Sequence, residues 1–235
     1  MNSSNLRANK KAIILGSSKG IGNAFHKAAK SEGYHTEILN SKEIDTSDQN
    51  SVKSFIDKNM DKEIDLFIFN TGGLPPLQID KNLKYFKKDF EVALQSYFWS
   101  FYELVSNLNL NEKATIIYLS SHVVTNIEPR LMASSVARSS SEKFLENLSG
   151  LKEFKFRKCL SIRFGPVMTD RLLNLMKSSG TNERELSLKL GLERLANTND
   201  ILSLAKLLIS SNSLFGSGTY NFDSGIKLLK SLNSL

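Results

Sequence analysis

The sequence Ala12-Ile-Ile-Leu-Gly-Ser-Ser-Lys-Gly-Ile-Gly22 decides the fold of this chain. Its first four residues form an apolar run, which predicts a buried parallel strand that ends at Gly16. Apolar residues then recur at helical spacing from Ile21 to Ser31, and Gly33 closes the predicted helix. The stretch from Tyr34 to Leu39 predicts the next strand. Strand, glycine loop, helix and strand together predict a βαβ unit.

Strands and helices continue to alternate along the rest of the chain. Only Asn40 to Glu43 follow the second predicted strand before the next apolar residue, so we expect a short loop there rather than a crossover helix. The alternation predicts an α/β fold, a single Rossmann domain over residues 1–235 with a doubly wound parallel sheet and helices on both faces. The other predicted strands are Asp65–Phe69, Ala114–Leu119, Lys158–Phe164 and Thr219–Phe222, and the other predicted helices are Asp89–Leu108, Ser134–Lys152 and Asn199–Ser210.

Composition and charge argue against several classes of protein. The chain has 235 residues and a net charge of +7, from 31 Lys and Arg against 24 Asp and Glu. The basic residues are scattered, which favours a solvated surface and predicts no nucleic-acid partner. The first apolar run, Ala12 to Leu15, is too short for a signal peptide or a membrane span, so we expect a cytoplasmic protein without a membrane partner. Cys159 is the single cysteine, so no intramolecular disulfide is possible, and its apolar neighbours predict a buried, inert thiol.

The glycine loop predicts a phosphate-binding site. The N-terminus of a helix carries unpaired backbone N–H groups and a partial positive charge, which attract a pyrophosphate. Glycines let the loop backbone approach the ligand and let the helix pack on the strand. The alternative is an ordinary tight turn, and the position of Gly16, Gly20 and Gly22 directly after an apolar strand favours the phosphate site.

The spacing of these three glycines resembles the cofactor loop of the short-chain dehydrogenase/reductase family. Five more segments resemble family motifs in the same order, and they are Asp45-Thr46, Asn70-Thr-Gly-Gly73, Leu119-Ser-Ser121, Phe164-Gly-Pro-Val-Met-Thr169 and Gly218 through Asp223-Ser-Gly225. The resemblance implies a nicotinamide dinucleotide, a small carbonyl or alcohol substrate and no metal. The cofactor-binding residues that it implies are Gly16, Ser18, Lys19, Gly20, Ile21, Gly22, Asn40, Ser41, Asp45, Thr46, Asn70, Thr71, Gly72, Arg138, Gly165, Val167 and Thr169.

The end of the second predicted strand favours NADP(H) over NAD(H). An acidic residue at this position would bind the ribose 2′-hydroxyl and repel a 2′-phosphate. The position falls on Asn40, followed by Ser41 and Lys42, so no carboxylate is expected there. Lys19 in the glycine loop can supply a positive charge. The alternative is that both lysines are merely exposed.

The catalytic pattern of the family is only partly present. In the family, a serine positions the substrate oxygen, a tyrosine passes the proton, a lysine four residues later lowers the pKa of that tyrosine and binds the ribose, and an asparagine completes a proton relay. Ser121 matches the serine. The tyrosine, lysine and asparagine positions fall on Ser134, Arg138 and Gln95. None of the six tyrosines has a lysine four residues later.

These replacements favour binding over proton transfer. A serine hydroxyl is less acidic than a phenol and too short to span the same gap, and Arg138 stays protonated although it can still bind a ribose. Two other side chains could act as the acid. His122 follows Ser121, and an unperturbed histidine has a pKa near ~6.5; the alternative is a solvent-facing loop residue. Tyr97 lies on a helix beside the site; the alternative is helix packing or a subunit contact.

Three functions therefore stay open. The leading hypothesis is an NADP(H)-binding oxidoreductase with atypical catalytic residues, followed by a non-catalytic binding protein and by a lyase or isomerase. Residues 170–197 fall where the family has a variable substrate lid. Leu172, Leu173, Leu175 and Met176 would either line an apolar pocket there or form the buried face of an ordinary helix. The resemblance also implies a homodimer or homotetramer, assembled through Asp89–Leu108 and Ser134–Lys152.

Overall fold

The structure is a computed structural model that describes residues 10–77, 86–155, 157–210 and 213–224. Within these ranges, no helix has both the length and the apolar character needed to cross a membrane. The strands are β1 (Ala12–Ile14), β2 (Ile64–Phe69), β3 (Leu110–Ser121), β4 (Lys158–Phe164), β5 (Val167–Met168), β6 (Ala196–Asn197) and β7 (Gly218–Phe222). The α-helices are α1 (Gly20–Ser31), α2 (Gln49–Asp57), α3 (Lys87–Ala93), α4 (Ser100–Asn107), α5 (Met132–Leu148), α6 (Asp170–Ser179), α7 (Glu183–Lys189) and α8 (Thr198–Ile209).

Five strands form one parallel sheet in the order β1-β2-β3-β4-β7. The register places Ile13 beside Phe67, Phe67 beside Ile116 and Ile116 beside Cys159. Because all neighbours run parallel, the carboxyl ends of the strands meet at one edge of the sheet. In open sheets of this kind, ligands bind in the crevice outside that edge.

The sheet is covered by helices on both faces, as predicted. Alternate residues of each strand point to opposite faces, so Ile13 and Leu15 join one buried cluster while Ala12 and Ile14 join another. The first cluster includes residues of α2, α4 and α5, and the second includes residues of α1 and α8. The strands read as continuous apolar runs because both of their faces are buried.

The predicted strand Tyr34–Leu39 is wrong. The segment runs beside β1 but forms only one isolated bridge, between Lys11 and His35. Its end is held by Ser17, whose Oγ accepts a hydrogen bond from the Leu39 backbone N–H at 2.8 Å. The pairing does not extend because β1 has only three residues, and because Ile38 is exposed and contributes little packing.

The long predicted helix Asp89–Leu108 is present but is interrupted. It consists of α3, a π-helical segment Leu94–Trp99 and α4. π-helical turns are rare and occur frequently at functional sites. Helix α2 was not predicted from the sequence. It has only a narrow buried stripe of Val52, Phe55 and Ile56, and it is capped by Asp48, whose side chain accepts a hydrogen bond from the Asn50 backbone N–H. The other predicted elements are present, with ends that differ by a few residues.

The two ends of the segment 170–197 lie next to each other. The short strands β5 and β6 pair with each other, with Val167 beside Ala196, and the segment between them contains α6 and α7. Met176 of α6 is buried, whereas Leu173 and Leu175 are exposed. The four apolar side chains proposed for this segment therefore do not share one buried face.

Cys159 lies in β4 with 2% of its surface exposed. Burial raises the pKa of its thiol to about 11, so the reactive thiolate form is almost absent at neutral pH. The prediction of a buried, inert thiol is confirmed.

Candidate functional site

The glycine loop between β1 and α1 is shaped for close approach. Gly16 and Gly20 have φ angles of 60° and 58°, in the left-handed region that glycine adopts without strain. A Cβ atom added at Gly22 would overlap the Gly16 carbonyl oxygen and lie 2.6 Å from the Asn70 Nδ2. A side chain at this position would therefore collide with the loop and with the residue after β2, so their close approach requires glycine.

Three neighbouring residues hold the loop in place. Asn70 donates from Nδ2 to the Gly16 carbonyl oxygen at 3.2 Å, and Asn23 donates from Nδ2 to the Ser17 carbonyl oxygen at 3.0 Å. Ser17 itself is fully buried and exchanges hydrogen bonds with Leu39. Ser17 and Asn23 are not among the residues predicted from the sequence. Only their positions, in the loop and in the first turn of α1, indicated that they could support it.

Tyr97 holds the segment that follows β2. Its hydroxyl accepts a hydrogen bond from the Leu74 backbone N–H at 3.0 Å and donates to the Gly72 carbonyl oxygen at 3.2 Å. The side chain is completely buried. Tyr97 therefore packs in the core and positions this loop. This agrees with helix packing, the alternative to a role as the acid. Thr71, next to Gly72, has a buried hydroxyl without a hydrogen-bond partner in the described part of the chain.

The segment after β4 reaches back to the glycine loop. Gly165 donates its backbone N–H to the Phe222 carbonyl oxygen at 3.0 Å, and Val167 is buried in β5. Thr169 caps α6 and places its Cγ2 3.3 Å from where a Cβ at Gly20 would lie. The predicted residues Gly165, Val167 and Thr169 therefore lie on one segment that approaches the glycine loop at Thr169.

The predicted cofactor-binding residues Asn40 and Asp45 form local hydrogen bonds after the Tyr34–Leu39 segment. Asn40 forms a turn with Lys42, and its backbone N–H donates to the Glu43 carboxylate at 2.8 Å. A carboxylate therefore lies beside Asn40, where the sequence predicted none. It belongs to Glu43, three residues beyond the position that the prediction considered. The Asp45 carboxylate accepts hydrogen bonds from the backbone N–H and from the hydroxyl of Ser47.

Ser121 and His122 lie at the carboxyl end of β3. Ser121 ends the strand, and its Oγ accepts a hydrogen bond from the Val123 backbone N–H at 3.4 Å. His122 Nδ1 lies 3.1 Å from the Phe164 carbonyl oxygen at the end of β4. Because a carbonyl oxygen only accepts, Nδ1 is the donor in this hydrogen bond. His122 is half-buried, rather than a fully solvent-facing residue.

Arg138 is turned into the core of the protein. Its Nη1 donates to the Leu119 carbonyl oxygen at 3.0 Å, and its guanidinium carbon lies 4.1 Å from the centre of the Tyr97 ring. Only 9% of the residue is exposed. The arginine therefore packs on the tyrosine that positions the Gly72–Leu74 segment.

Ser134 lies one turn earlier on α5 and is also buried. Its neighbour Ser135 donates from Oγ to the Val123 carbonyl oxygen at 2.9 Å, which ties the start of α5 to the loop after Ser121. Gln95 lies in the π-helical segment, where its side-chain nitrogen is buried without a hydrogen-bond partner among the described residues. Tyr118, three residues before Ser121, is completely buried, and this burial raises the pKa of its phenol to about 12.

The comparison with solved structures covers nearly the whole chain. A short chain dehydrogenase family protein from Francisella tularensis is 20% identical, with a TM-score of 0.76 over 94% of this chain and 99% of the other. L-Sorbose reductase from Gluconobacter frateurii, complexed with NADPH and L-sorbose, is 16% identical, with a TM-score of 0.77 over 93% and 97%. The chain has the short-chain dehydrogenase/reductase fold. A 7α-hydroxysteroid dehydrogenase complexed with NADH and 7-oxo glycochenodeoxycholic acid is 20% identical, with a TM-score of 0.76 over 96% and 97%. No protein-family model and no curated protein matches the sequence.

The residues present in this short-chain dehydrogenase/reductase fold fit a nicotinamide dinucleotide. Gly22 lets the Gly16 carbonyl and the Asn70 amide close around the start of α1, which gives the tight glycine cradle, and Thr71 offers a buried hydroxyl that has no hydrogen-bond partner among the described residues. A buried polar atom of this kind calls for a water or ligand partner. Among the described residues, no group of His, Cys, Asp or Glu is arranged to hold a metal ion.

Two shallow cavities of about 430 and 390 Å³ lie away from the glycine loop, beside α7 and the start of α8. Both are lined by Glu193 and Arg194. Arg194 forms a close ion pair with Asp200 at the start of α8. The first cavity is also lined by Phe222 and Ser224 at the carboxyl end of β7, so it borders the edge of the sheet where Ser121 lies.

Proposed function

We propose that this chain is an NADP(H)-binding oxidoreductase of the short-chain dehydrogenase/reductase type, acting on a small carbonyl or alcohol. The observation that carries the proposal is the glycine cradle, where Gly22 admits no side chain because the Gly16 carbonyl and the Asn70 amide close around it. The cradle opens at the edge of the sheet where β3 ends in Ser121. A dinucleotide at the cradle and a substrate at Ser121 would therefore be neighbours.

Each proposed role follows from a contact of the chain. When bound, the dinucleotide supplies or accepts a hydride. Ser121 positions the substrate oxygen, and His122, fixed through Nδ1 to the Phe164 carbonyl, moves a proton at Nε2; water is the alternative donor. Loss of a positioned acid costs about 10²- to 10⁴-fold in rate. We therefore expect slow turnover compared with enzymes that retain the tyrosine and lysine.

The preference for NADP(H) rests on charge at the second segment. Asn40 takes the place of an acidic residue, and Lys19 in the loop is exposed and carries a positive charge. Glu43 opposes this preference because its carboxylate lies on the Asn40 backbone N–H. Glu43 is exposed and can rotate away, so the balance of these charges favours the phosphorylated cofactor.

A non-catalytic nucleotide-binding protein is the second candidate function. The observation that favours it is the burial of Arg138 between the Leu119 carbonyl and the Tyr97 ring. In this position the guanidinium contacts a backbone carbonyl and a buried ring, and its charge does not offset the effect of burial, which raises the pKa of the neighbouring Tyr118 phenol. Such a protein would bind the dinucleotide without turnover.

Association of two copies through the α3–α4 and α5 surface is part of the proposal. Trp99 and Tyr102 are 48% and 41% exposed on this surface, and Val136 of α5 is 45% exposed. Large apolar side chains that cluster at a surface mark interaction sites. Light scattering should show a dimer or tetramer, and the single substitution Trp99→Glu should shift it toward the monomer.

The test of function combines binding and turnover. NADPH titration by fluorescence should show saturable binding, and a panel of small ketones and aldehydes should show NADPH oxidation that Ser121→Ala reduces by roughly 10²-fold. Ser203→Ala, on the exposed side of α8, is the matched control. Binding without turnover in the wild type would favour the non-catalytic function, and absence of binding to NADPH and NADH would exclude both.

A further inference from the structure

The guanidinium of Arg171 lies directly over the backbone of Gly73. A Cβ atom added at Gly73 would overlap both Nη1 and Nη2 of this arginine. Gly73 ends the run Asn70-Thr-Gly-Gly73 after β2, and Arg171 is the second residue of α6. The missing side chain of the glycine therefore provides the space that the arginine occupies.

Arg171 differs from Arg163 and Arg194 in its partners. Arg163 forms a close ion pair with Glu142 and Arg194 forms one with Asp200. The ion pairs found within residues 10–77, 86–155, 157–210 and 213–224 do not include Arg171. Its one hydrogen bond within these ranges, from Nη2 to the Leu74 carbonyl oxygen, is long at 3.5 Å. A guanidinium has five donors in a planar fork, and the contacts within the described residues use only one of them.

The position of Arg171 is at the candidate site. Thr169, two residues earlier, packs against Gly20 of the glycine loop, and the Gly72–Leu74 segment under the guanidinium is held from the other side by the Tyr97 hydroxyl. Both neighbours lie at the carboxyl edge of the sheet, where Ser121 also lies. The guanidinium thus sits between two segments that border the proposed dinucleotide and substrate.

We propose that Arg171 binds an anionic group of the substrate, so that the substrate class is a small oxo or hydroxy compound carrying a carboxylate or a phosphate. A guanidinium pairs with either group through two parallel N–H···O bonds. The inference rests on the proposed function, because it needs a substrate beside a bound dinucleotide. It makes Arg171 a specificity-determining residue and not a catalytic one.

The first experiment separates this inference from the proposed function. NADPH is titrated into wild type, Arg171→Gln and Lys177→Gln, the last a matched control from the exposed side of the same helix. We expect NADPH affinities within about 2-fold of each other for all three. No binding by the wild type would contradict the proposed function itself. A loss of tenfold or more in Arg171→Gln alone would place the guanidinium on a cofactor phosphate and overturn the inference.

The second experiment uses paired probes at saturating NADPH. One arm compares pyruvate, 2-oxobutanoate and acetoacetate with their methyl esters, and the other compares dihydroxyacetone phosphate with dihydroxyacetone; binding is measured by calorimetry and by the shift in melting temperature. We expect the wild type to prefer the anionic member of at least one pair, which identifies the carboxylate or the phosphate source.

Arg171→Gln should weaken that anionic probe by roughly 10- to 100-fold, the range of a charge-assisted hydrogen bond, and leave its neutral partner unchanged. The affinity of Arg171→Lys for the anionic probe should lie between those of the wild type and Arg171→Gln, because lysine keeps the charge but lacks the planar fork of donors. The affinity of Lys177→Gln should match that of the wild type. Equal binding of anionic and neutral members, no binding of any anionic probe, or an unchanged affinity in Arg171→Gln would each overturn the inference.

Discussion

The glycine loop and the wall beside Ser121, by which we mean Ser134 and Arg138 of α5, lie at the same edge of one sheet, but they are built differently. The loop uses backbone, with Gly16 and Gly22 shaping the cradle and Asn70 holding it. The wall uses side chains, and there Ser134 and Arg138 occupy the positions that the family resemblance assigns to a tyrosine and a lysine. Dinucleotide binding needs only space and amide groups, whereas proton transfer needs a particular acid. One function can therefore be retained when the other changes.

The strongest test of this difference is the double substitution Ser134→Tyr with Arg138→Lys. If only the wall is altered, restoring the acid and its partner should raise kcat/KM for an accepted carbonyl by about 10²- to 10⁴-fold. Each single substitution should show little gain, because the two residues act together. Steady-state kinetics with NADPH measures the effect. No gain in a double variant that still binds NADPH would mean that the wall differs in more than these two residues.

Gly22→Ala tests the other half of the comparison. The added methyl group collides with the Gly16 carbonyl and the Asn70 amide, and overpacking of this kind typically costs about 1–3 kcal/mol. We expect a loss of NADPH affinity of roughly 10- to 100-fold together with a lower melting temperature. Gly150→Ala is the control, since a Cβ there would come no closer than 3.4 Å to the Asn147 carbonyl oxygen. Unchanged binding in Gly22→Ala would contradict the cradle.

Tyr97→Phe probes the contact between the two regions. The substitution keeps the ring that stacks on Arg138 and removes the hydroxyl that bonds the Leu74 N–H and the Gly72 carbonyl. Leaving those groups without their partner costs about 1–3 kcal/mol, so NADPH should bind several-fold to tenfold more weakly in a titration. Tyr102→Phe, on the same helical stretch with an exposed ring, should behave as the wild type. Equal affinities in both variants would show that the hydroxyl does not position the loop.

Glu43→Gln sharpens the cofactor preference. The change removes the carboxylate beside Asn40 and keeps a hydrogen-bond acceptor for its backbone N–H. Because the group is exposed, the electrostatic effect is small, about 0.2–1 kcal/mol. The ratio of NADPH to NADH affinity should rise by up to about 5-fold, measured by parallel titrations. Glu112→Gln, on an exposed part of β3, should leave the ratio unchanged, and a falling ratio in Glu43→Gln would be the opposite of what charge predicts.

The smallest expected effect concerns acid stability at the end of the 170–197 segment. Hydrogen bonds from Arg194 and the Asn197 backbone N–H lower the pKa of Asp200 from 3.8 to about 2. The ionised carboxylate therefore stabilises the fold above pH 4, and its contribution is lost as the pH falls toward 2. The melting temperature of the wild type should exceed that of Asp200→Asn at pH 6, and the gap should narrow by pH 2.5. The melting temperature of Asp170→Asn should differ less from that of the wild type. A difference between the wild type and Asp200→Asn that does not change with pH would exclude the proposed link between stability and ionisation of Asp200.

The fold was predictable because its signals are local and periodic. The apolar strands, the three glycines and the helix spacing of α1 depend on neighbouring residues, and each of those elements is present. The strand Tyr34–Leu39 failed because pairing depends on what lies beside it, and β1 offers a partner of only three residues. The helix α2 was missed because few of its residues face the core.

The site was predictable in position but not in the direction of its side chains. Sequence spacing put Arg138 on the lysine position, yet it carries no information that the guanidinium turns inward to Tyr97. Likewise, Glu43 reaches Asn40 only because the chain turns between them. The contact between Arg171 and Gly73 joins residues 98 positions apart, so only the folded chain brings it into view.

The inert thiol of Cys159 makes the protein convenient for labelling. With this cysteine buried in β4 and held in its protonated form, maleimide reagents should leave the native wild type unmodified. A cysteine introduced at an exposed position such as Leu173 would then be the only reactive one. A fluorophore attached there would report movement of α6 as nucleotide and anionic probes are added, without any background substitution.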